Sequence, residues 1–212
     1  MMKYGNCLAL VTLMLLVGCT RSLMMETTSD VPAPLVAQLP LTVGVYYDVK
    51  FRTYVYEENS EDRPNWAIRS GAAEVELFDR ILSSMFEDTQ QVSSLSVATG
   101  SGLDAIVAPA IEEMQFALPF ETKTDLYEVW IKYTIRVHQA DGDLISEFPL
   151  TGYGKSSSEF LKSRDAGIQA AIGVAFRDAG AKLALGFPNV SDIREWLVQI
   201  PRVCNSDQVD LC

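Results

Sequence analysis

The chain has 212 residues, of which 48% are hydrophobic and 21% are charged, a composition typical of a globular protein and not of a chain that is disordered throughout. The net charge of −11 at pH 7 argues against the basic surface that a nucleic-acid-binding protein or a polybasic lipid-binding segment needs. The single histidine, His138, excludes a metal site built from several histidines, and the length predicts one domain or at most two small ones.

Residues 1–18 are typical of a bacterial secretion signal. Lys3 gives the segment a positive start, and residues 8–17 form an apolar run that, at about ten residues, is too short to span a bilayer. The sequence Leu-Val-Gly-Cys over residues 16–19 resembles the lipobox of bacterial lipoproteins. This resemblance implies that the Cys19 thiol receives a diacylglyceryl group. It also implies that cleavage makes Cys19 the first residue of the mature chain, whose amine then receives a further acyl chain such as palmitate.

A lipid-modified Cys19 implies an essentially permanent membrane attachment, because each buried methylene group contributes about 0.8 kcal/mol. Thr20 stands where lipoproteins that stay in the inner membrane tend to have Asp. The resemblance therefore implies anchoring in the outer membrane, facing the periplasm, with the inner membrane as the alternative. A different interpretation is that Cys19 merely ends a hydrophobic leader or a membrane helix. We expect the lipid anchor, because charge, apolar length and the four-residue box agree.

Two further cysteines, Cys204 and Cys212, lie eight positions apart near the C-terminus. An oxidising periplasm favours a disulfide bond between them, which would stabilise the tail by about 2–3 kcal/mol if loop entropy dominates. The alternatives are two free thiols or a metal-binding pair. No other cysteine of the mature chain and no nearby histidine supports a metal site, so we predict the disulfide.

The chain divides into a leader, a tether, a domain and a tail. Residues 19–40 are expected to hold the lipid anchor and a flexible tether, because three prolines interrupt a segment without sustained periodicity. A periplasmic domain is expected over residues 41–200, and a polar C-terminal tail over residues 201–212.

Hydrophobic patterning within the domain predicts both strands and helices. Apolar runs and two-residue alternation predict strands over residues 41–47, 51–56, 103–117, 126–139 and 144–154. Apolar spacings of three and four predict amphipathic helices over residues 72–87 and 165–185, and a short helix beginning near Ser191. Asp141 and Gly142 favour a tight turn between the last two strands. We therefore expect an α+β domain in which two helices and a short C-terminal helix accompany a mainly antiparallel sheet, with both amphipathic helices on one face.

The sequence contains no complete catalytic motif. Gly-Lys-Ser over residues 154–156 ends like a phosphate-binding loop, but Pro149 occupies the position that requires a glycine. His138 and the serines at 156–158 could form a hydrolase pair only if the fold brought them together. We predict no catalytic residue, no metal and no cofactor.

The candidate binding residues are aromatic side chains in polar surroundings, which suit contacts with a protein or a glycan. The alternative is that helices or the crossing segment 118–125 cover them. The candidates are Trp130, Tyr54, Tyr56, Trp66 and Phe120.

The leader and the element order together resemble the small accessory lipoproteins of Gram-negative envelopes, which assist lipopolysaccharide assembly, secretion or lipid-transport ABC systems. The resemblance implies a non-enzymatic module that uses a sheet face or edge to bind an envelope protein or further copies of itself. One alternative is a lipid or glycan carrier with a cavity between helices and sheet; a less favoured one is the hydrolase. The carrier cavity would be lined by Phe78, Met85, Ile131 and Phe176.

Overall fold

The computed structural model describes residues 23–58, 65–97, 100–158 and 163–204. These residues form the strands β1 (Leu23–Glu26), β2 (Leu39–Tyr46), β3 (Val55–Glu58), β4 (Trp66–Arg69), β5 (Phe86–Val92), β6 (Ala105–Ala117), β7 (Leu126–His138) and β8 (Leu144–Ser157). They also form the helices α1 (Val49–Arg52), α2 (Gly71–Met85), α3 (Pro119–Thr122), α4 (Arg164–Gly186), α5 (Ser191–Val198) and α6 (Pro201–Cys204), with a 3₁₀ turn over Phe187–Asn189. No helix in the described part of the chain is long and apolar enough to cross a membrane.

The main sheet contains five strands in the order β5-β2-β6-β7-β8. β2 runs parallel to both β5 and β6, whereas the β6–β7 and β7–β8 pairs are antiparallel. The expectation of a mainly antiparallel sheet is therefore wrong: the sheet is mixed, although the α+β class fits. The physical reason is that α2, which follows β3 and β4, carries the chain back along the main sheet before β5 begins, so that β5 runs in the same direction as β2.

A second sheet, with the strand order β1-β4-β3, is absent from the sequence-based expectation. After β1, the N–H of Thr27 donates to the carbonyl of Arg69 at 3.0 Å. Val31 is 4% exposed and its carbonyl accepts a hydrogen bond from Arg80 at 2.6 Å. In the structure, the described part of the expected tether therefore contacts the domain.

The elements with the strongest periodicity are confirmed. The long alternating strand is β7, the two amphipathic helices are α2 and α4, and the short C-terminal helix is α5. The turn between β7 and β8 contains Gly142 with φ of 104°, a conformation that glycine adopts at little cost. Local sequence patterns therefore located these elements correctly.

Two weaker signals were misinterpreted. The expected strand over residues 51–56 is divided between α1 and β3, because the Asp48 carboxylate accepts the N–H of Phe51 at 2.6 Å and caps a helical turn. The hydrophobic pattern does not predict β5, because residues 87–91 are all charged or polar. Its pairing with β2 determines that this segment is a strand.

The helices α2 and α4 cover one face of the main sheet. The side chains of β7 on this face are fully buried: Val129, Ile131, Tyr133, Ile135 and Val137. α4 approaches β8 closely at two glycines, since a Cβ atom on Gly154 would lie 2.0 Å from the Ala171 carbonyl oxygen and one on Gly152 would lie 2.4 Å from that of Ala175. Glycine is required at these positions to let the helix backbone contact the strand.

The outer edge of β8 is partly covered by α4. The Lys182 ammonium donates to the carbonyl of Thr151 at 3.1 Å, and the N–H of Tyr153 donates to the Asp178 carboxylate at 2.8 Å. Lys182 and Asp178 also form an ion pair at 2.6 Å. Because these groups occupy backbone sites that a new strand would use, this stretch of β8 is protected against edge-to-edge pairing.

Candidate functional site

On the opposite face of strands β6, β7 and β8, no element of the described residues covers the central part. Trp130, on the middle strand, is 36% exposed and is in register with Gln115 of β6 and Tyr153 of β8. We call this surface the open face, and its residues are Glu113, Gln115, Glu128, Trp130, Lys132, Thr151, Tyr153 and Lys155.

The centre of the open face is an aromatic pair. The rings of Trp130 and Tyr153 lie 5.2 Å apart between centroids. The Tyr153 hydroxyl donates to Glu128 at 2.9 Å, and this hydrogen bond to the carboxylate raises the pKa of Tyr153, with smaller contributions from burial and from the charge of Glu128. The pair therefore presents two flat rings, one of which is held by a neighbouring carboxylate.

A shallow pocket of about 270 Å³ adjoins Trp130 and is lined by Glu113, Gln115, Lys132 and Thr151. A register shift between Ile111 and Glu113 creates one of its walls. The shift inverts the alternation of β6, so that Glu113 lies opposite Lys132 on the open face. The pocket therefore has an aromatic wall and charges of both signs.

The other sequence-based candidates lie elsewhere. Trp66 is 2% exposed and its ring meets Phe116 at 5.2 Å, so its side chain belongs to the core rather than to a surface. Tyr56 is half-buried against the same phenylalanine at 5.5 Å, and burial raises the pKa of the half-buried Tyr54. Phe120 is 65% exposed on α3. The five aromatic candidates therefore occupy three regions, and Trp130 alone among them lies on the open face.

The arrangement around His138 does not assemble the hydrolase pair. The segment after β5 covers this end of the sheet, since the N–H of Val97 donates to the carbonyl of Ala140 at 2.8 Å. His138 is 9% exposed and its Nδ1 lies 2.9 Å from the carbonyl oxygen of Gly142. The hydroxyl of Ser156 donates instead to the carbonyl of Gly167 at 2.8 Å. Within the described ranges, no group of three or more potential metal ligands occurs either.

The residues expected to line a carrier cavity lie in the core. Phe78, Ile131 and Phe176 are fully buried, and Met85 is 3% exposed. The ring of Phe78 packs edge-on against Tyr133 at 5.3 Å. These side chains occupy the space between helices and sheet, so the geometry does not favour the carrier hypothesis.

A buried carboxyl group in the same core was missed by the sequence analysis. Glu74 on α2 is fully buried, and it accepts a hydrogen bond from the Tyr133 hydroxyl at 2.7 Å. Desolvation raises the pKa of Glu74 to about 8, although the Tyr133 hydrogen bond opposes this rise. In the helical pattern Glu74 lies largely outside the apolar stripe, and this position gives no sign that tertiary packing encloses it.

We expect Glu74→Gln to reduce the pH dependence of stability. The folded wild-type chain keeps the Glu74 proton up to a pH of about 8, whereas the unfolded chain releases it near 4.5. The wild type therefore loses stability as pH rises through this window, by up to about 1.4 kcal/mol per pH unit. In urea unfolding, the free energy of unfolding of the variant relative to that of the wild type should increase by about 2–4 kcal/mol from pH 5 to pH 8.

Glu76→Gln on the same helix is the matched control. The Glu76 side chain is 55% exposed and pairs with Arg80 at 2.7 Å. Its replacement should leave the slope of stability against pH close to that of the wild type. Parallel slopes for wild type and Glu74→Gln would contradict the assignment of the buried proton.

The cysteine predictions fall mostly outside the described residues. Cys204 is the last residue of α6. Cys19 and Cys212 lie outside the described ranges. Lipidation of Cys19 and a bond between Cys204 and Cys212 therefore stay predictions.

No protein-family model matches the chain, and no curated protein matches it. Solved structures that are similar to it include proteins from three bacteria. Protein XCC0632 of Xanthomonas campestris, described as a DUF330 protein, is 13% identical, with a TM-score of 0.47 over 77% of this chain and 92% of that one. A Caulobacter crescentus protein, provisionally assigned as a lipoprotein, is 16% identical, with a TM-score of 0.39 over 62% of this chain and 85% of that one. A PelC dodecamer from Paraburkholderia phytofirmans is 14% identical, with a TM-score of 0.37 over 72% of this chain and 92% of that one.

Proposed function

We propose that this protein is a non-enzymatic, lipid-anchored module of the bacterial envelope that binds a protein partner through its open face. The observation that carries the proposal is the exposed Trp130, placed at the centre of a sheet face that none of the helices in the described ranges covers. The lipobox at residues 16–19 and Thr20 support attachment to the outer membrane on its periplasmic side.

The chemistry of the open face suits a protein partner. Tryptophan and tyrosine contribute disproportionately to protein interfaces, because a flat ring buries a large area with few rotatable bonds. The central pair is flanked by opposite charges in register, Glu113 with Lys132 and Glu128 with Lys155. These charges would set the orientation of a partner, and the adjoining pocket would accept one of its side chains.

The covered edge of β8 favours binding across the face instead of strand addition. Lys182 and Asp178 occupy backbone groups of Thr151 and Tyr153 that an added strand would need. Membrane anchoring would raise the local concentration of both partners, so a modest interface would suffice.

We expect Trp130→Ala to reduce partner binding about tenfold or more, because the ring that fills the interface centre is lost. The measurement uses the full chain in its native envelope with the photoreactive residue p-benzoyl-phenylalanine at Thr151, which lines the pocket beside Trp130. When Trp130 is present, the crosslinker at position 151 should give one dominant protein adduct, and Trp130→Ala should suppress this adduct. The mass of the adduct separates another envelope protein from a second copy of this chain.

Two controls test whether the effect belongs to the open face. The same crosslinker at Arg177, exposed on α4, should not give this adduct. Leu185→Ala removes a side chain that is 67% exposed and lies on α4, outside the open face. This variant should leave the adduct at Thr151 unchanged. Equal adducts from both crosslinker positions, or an adduct insensitive to Trp130→Ala, would refute the proposal.

A further inference from the structure

We infer that the end of the domain that carries Phe120 lies against the lipid bilayer and inserts this side chain into the membrane interface. The protein would then have a second membrane contact besides its acyl chains. The inference rests on the lipid anchor of the proposed function. It follows from the length of chain after Cys19, the direction of the small sheet and the exposure of Phe120.

The chain between the predicted anchor and the domain is short. β1 begins at Leu23, four residues after Cys19. Even a fully extended chain of four residues spans at most about 14 Å. The start of β1 therefore has to lie close to the bilayer surface, and the part of the domain around it faces the membrane.

Contacts of the small sheet show which end of the domain this is. Tyr56, on β3, meets Phe116 near the end of β6, with the two ring centroids 5.5 Å apart. β4 is antiparallel to β3 and starts at Trp66, whose ring also meets Phe116.

The start of β1 is in register with the start of β4, since Leu23 pairs with Trp66. Leu23 therefore lies at the end of the main sheet where β6 passes into β7. The connection at this end contains α3 and Phe120. The start of β1 and Phe120, the most exposed phenylalanine among the described residues, are thus at the same end of the domain.

The segment around Phe120 is fixed to the domain. Leu118 is fully buried, and its N–H donates to the Glu121 carboxylate at 2.7 Å. Phe120, two residues later, is 65% exposed. A phenylalanine held outward by a buried neighbour is suited to the boundary between headgroups and acyl chains.

The charges of this connection determine what kind of membrane it suits. Glu121, Lys123 and Asp125 give it no excess of positive charge. Contact with the bilayer therefore depends on the apolar side chain and not on anionic lipid. Vesicles of pure phosphatidylcholine, which is zwitterionic, are accordingly the appropriate probe.

The test places p-benzoyl-phenylalanine at Phe120 in the full lipidated chain, reconstituted into phosphatidylcholine vesicles. Leu185 is the matched control position, because it is 67% exposed and lies near the C-terminal end of α4. This end of α4 is the one farther from the connection between β6 and β7 that contains Phe120. The start of α4 packs on Tyr127 through Gly167, and the segment after its end packs on Phe148 through Phe187. After irradiation, we expect the yield of phospholipid adduct, measured by mass spectrometry, to be at least about tenfold higher at position 120 than at position 185.

The outcomes separate this inference from the anchor itself. A chain that floats with the vesicles and forms no more lipid adduct at position 120 than at position 185 overturns the inference and leaves the anchor intact. A chain that does not float with the vesicles overturns both. A lipid adduct confined to position 120 supports the proposed orientation.

Discussion

Gly154→Ala is expected to lower the free energy of unfolding by about 3 kcal/mol, and Gly154→Val to prevent folding of the domain. In most strands a change from glycine to alanine is neutral or favourable, because alanine loses less backbone entropy on folding. Here the added methyl group would lie 2.0 Å from the Ala171 carbonyl oxygen and 2.4 Å from the Ala175 backbone nitrogen. Both contacts are with helix backbone, which cannot rotate away as a side chain would.

The destabilisation follows from displacing α4 from the sheet. Fully buried Ala171, Ala175 and Phe176 lie on the inner side of α4, against the face of the sheet that β7 and β8 form. Moving the helix outward by the width of a methyl group would loosen the packing of all of them, and protein interiors tolerate such gaps poorly. Urea unfolding followed by near-ultraviolet circular dichroism would measure the change.

Gly173→Ala is the control for this prediction. Gly173 is on α4 itself, and a Cβ atom there would have no neighbour within 4 Å. The variant should be more stable than the wild type by about 0.5–1 kcal/mol, because alanine favours the helix. A Gly154→Ala chain as stable as the wild type would show that α4 does not approach β8 as closely as described.

Loss of the Cys19 thiol is expected to abolish membrane attachment. The variant carries Cys19→Ser behind an ordinary cleavable secretory leader in place of residues 1–18, so that an uncleaved signal does not hold it in the membrane. Without acyl chains, which contribute about 0.8 kcal/mol per buried methylene, nothing of comparable strength would hold the chain. The described residues contain no helix suited to spanning a bilayer. Carbonate extraction should therefore release the variant and leave the wild type in the membrane pellet.

Mass spectrometry of the wild type provides the direct test of the same prediction. The mature chain should begin at Cys19 and carry the mass of its acyl groups. Cys204→Ser behind the natural leader is the matched control, and it should stay in the membrane because it alters a thiol outside the lipobox. A wild-type chain that begins at Met1, or that has no added acyl mass, would contradict the anchor and with it the proposed function.

The sequence identified the elements whose signals are local. β7 was predictable because six apolar residues alternate with polar ones, and the turn after it because glycine adopts a positive φ readily. Trp130 was correctly assigned to the polar side of β7 from this alternation alone. Such predictions succeed when the side chains of one segment determine both its conformation and its buried face.

Features that depend on partners distant in the chain leave no signal in the local sequence. The polar residues of β5 form a strand because β2 offers a parallel partner. Trp66 and Glu74 are buried because β4 and α2 are packed against other elements, and no periodicity within those segments reveals it. The expectation of a mainly antiparallel sheet was likewise wrong, since hydrophobicity does not encode strand direction.

The amino-acid sequence by itself determined the α+β class and the periodic helices and strands, because each depends on residues close together in the chain. For the same reason the sequence alone supports the prediction of a leader and a lipobox. Tertiary structure alone decided the mixed sheet, the open face around Trp130 and the position of Phe120 at the same end of the domain as the start of β1. These features depend on which segments meet, and that is set by the packing of the domain, in which α2 and α4 lie against each other on one face of the main sheet.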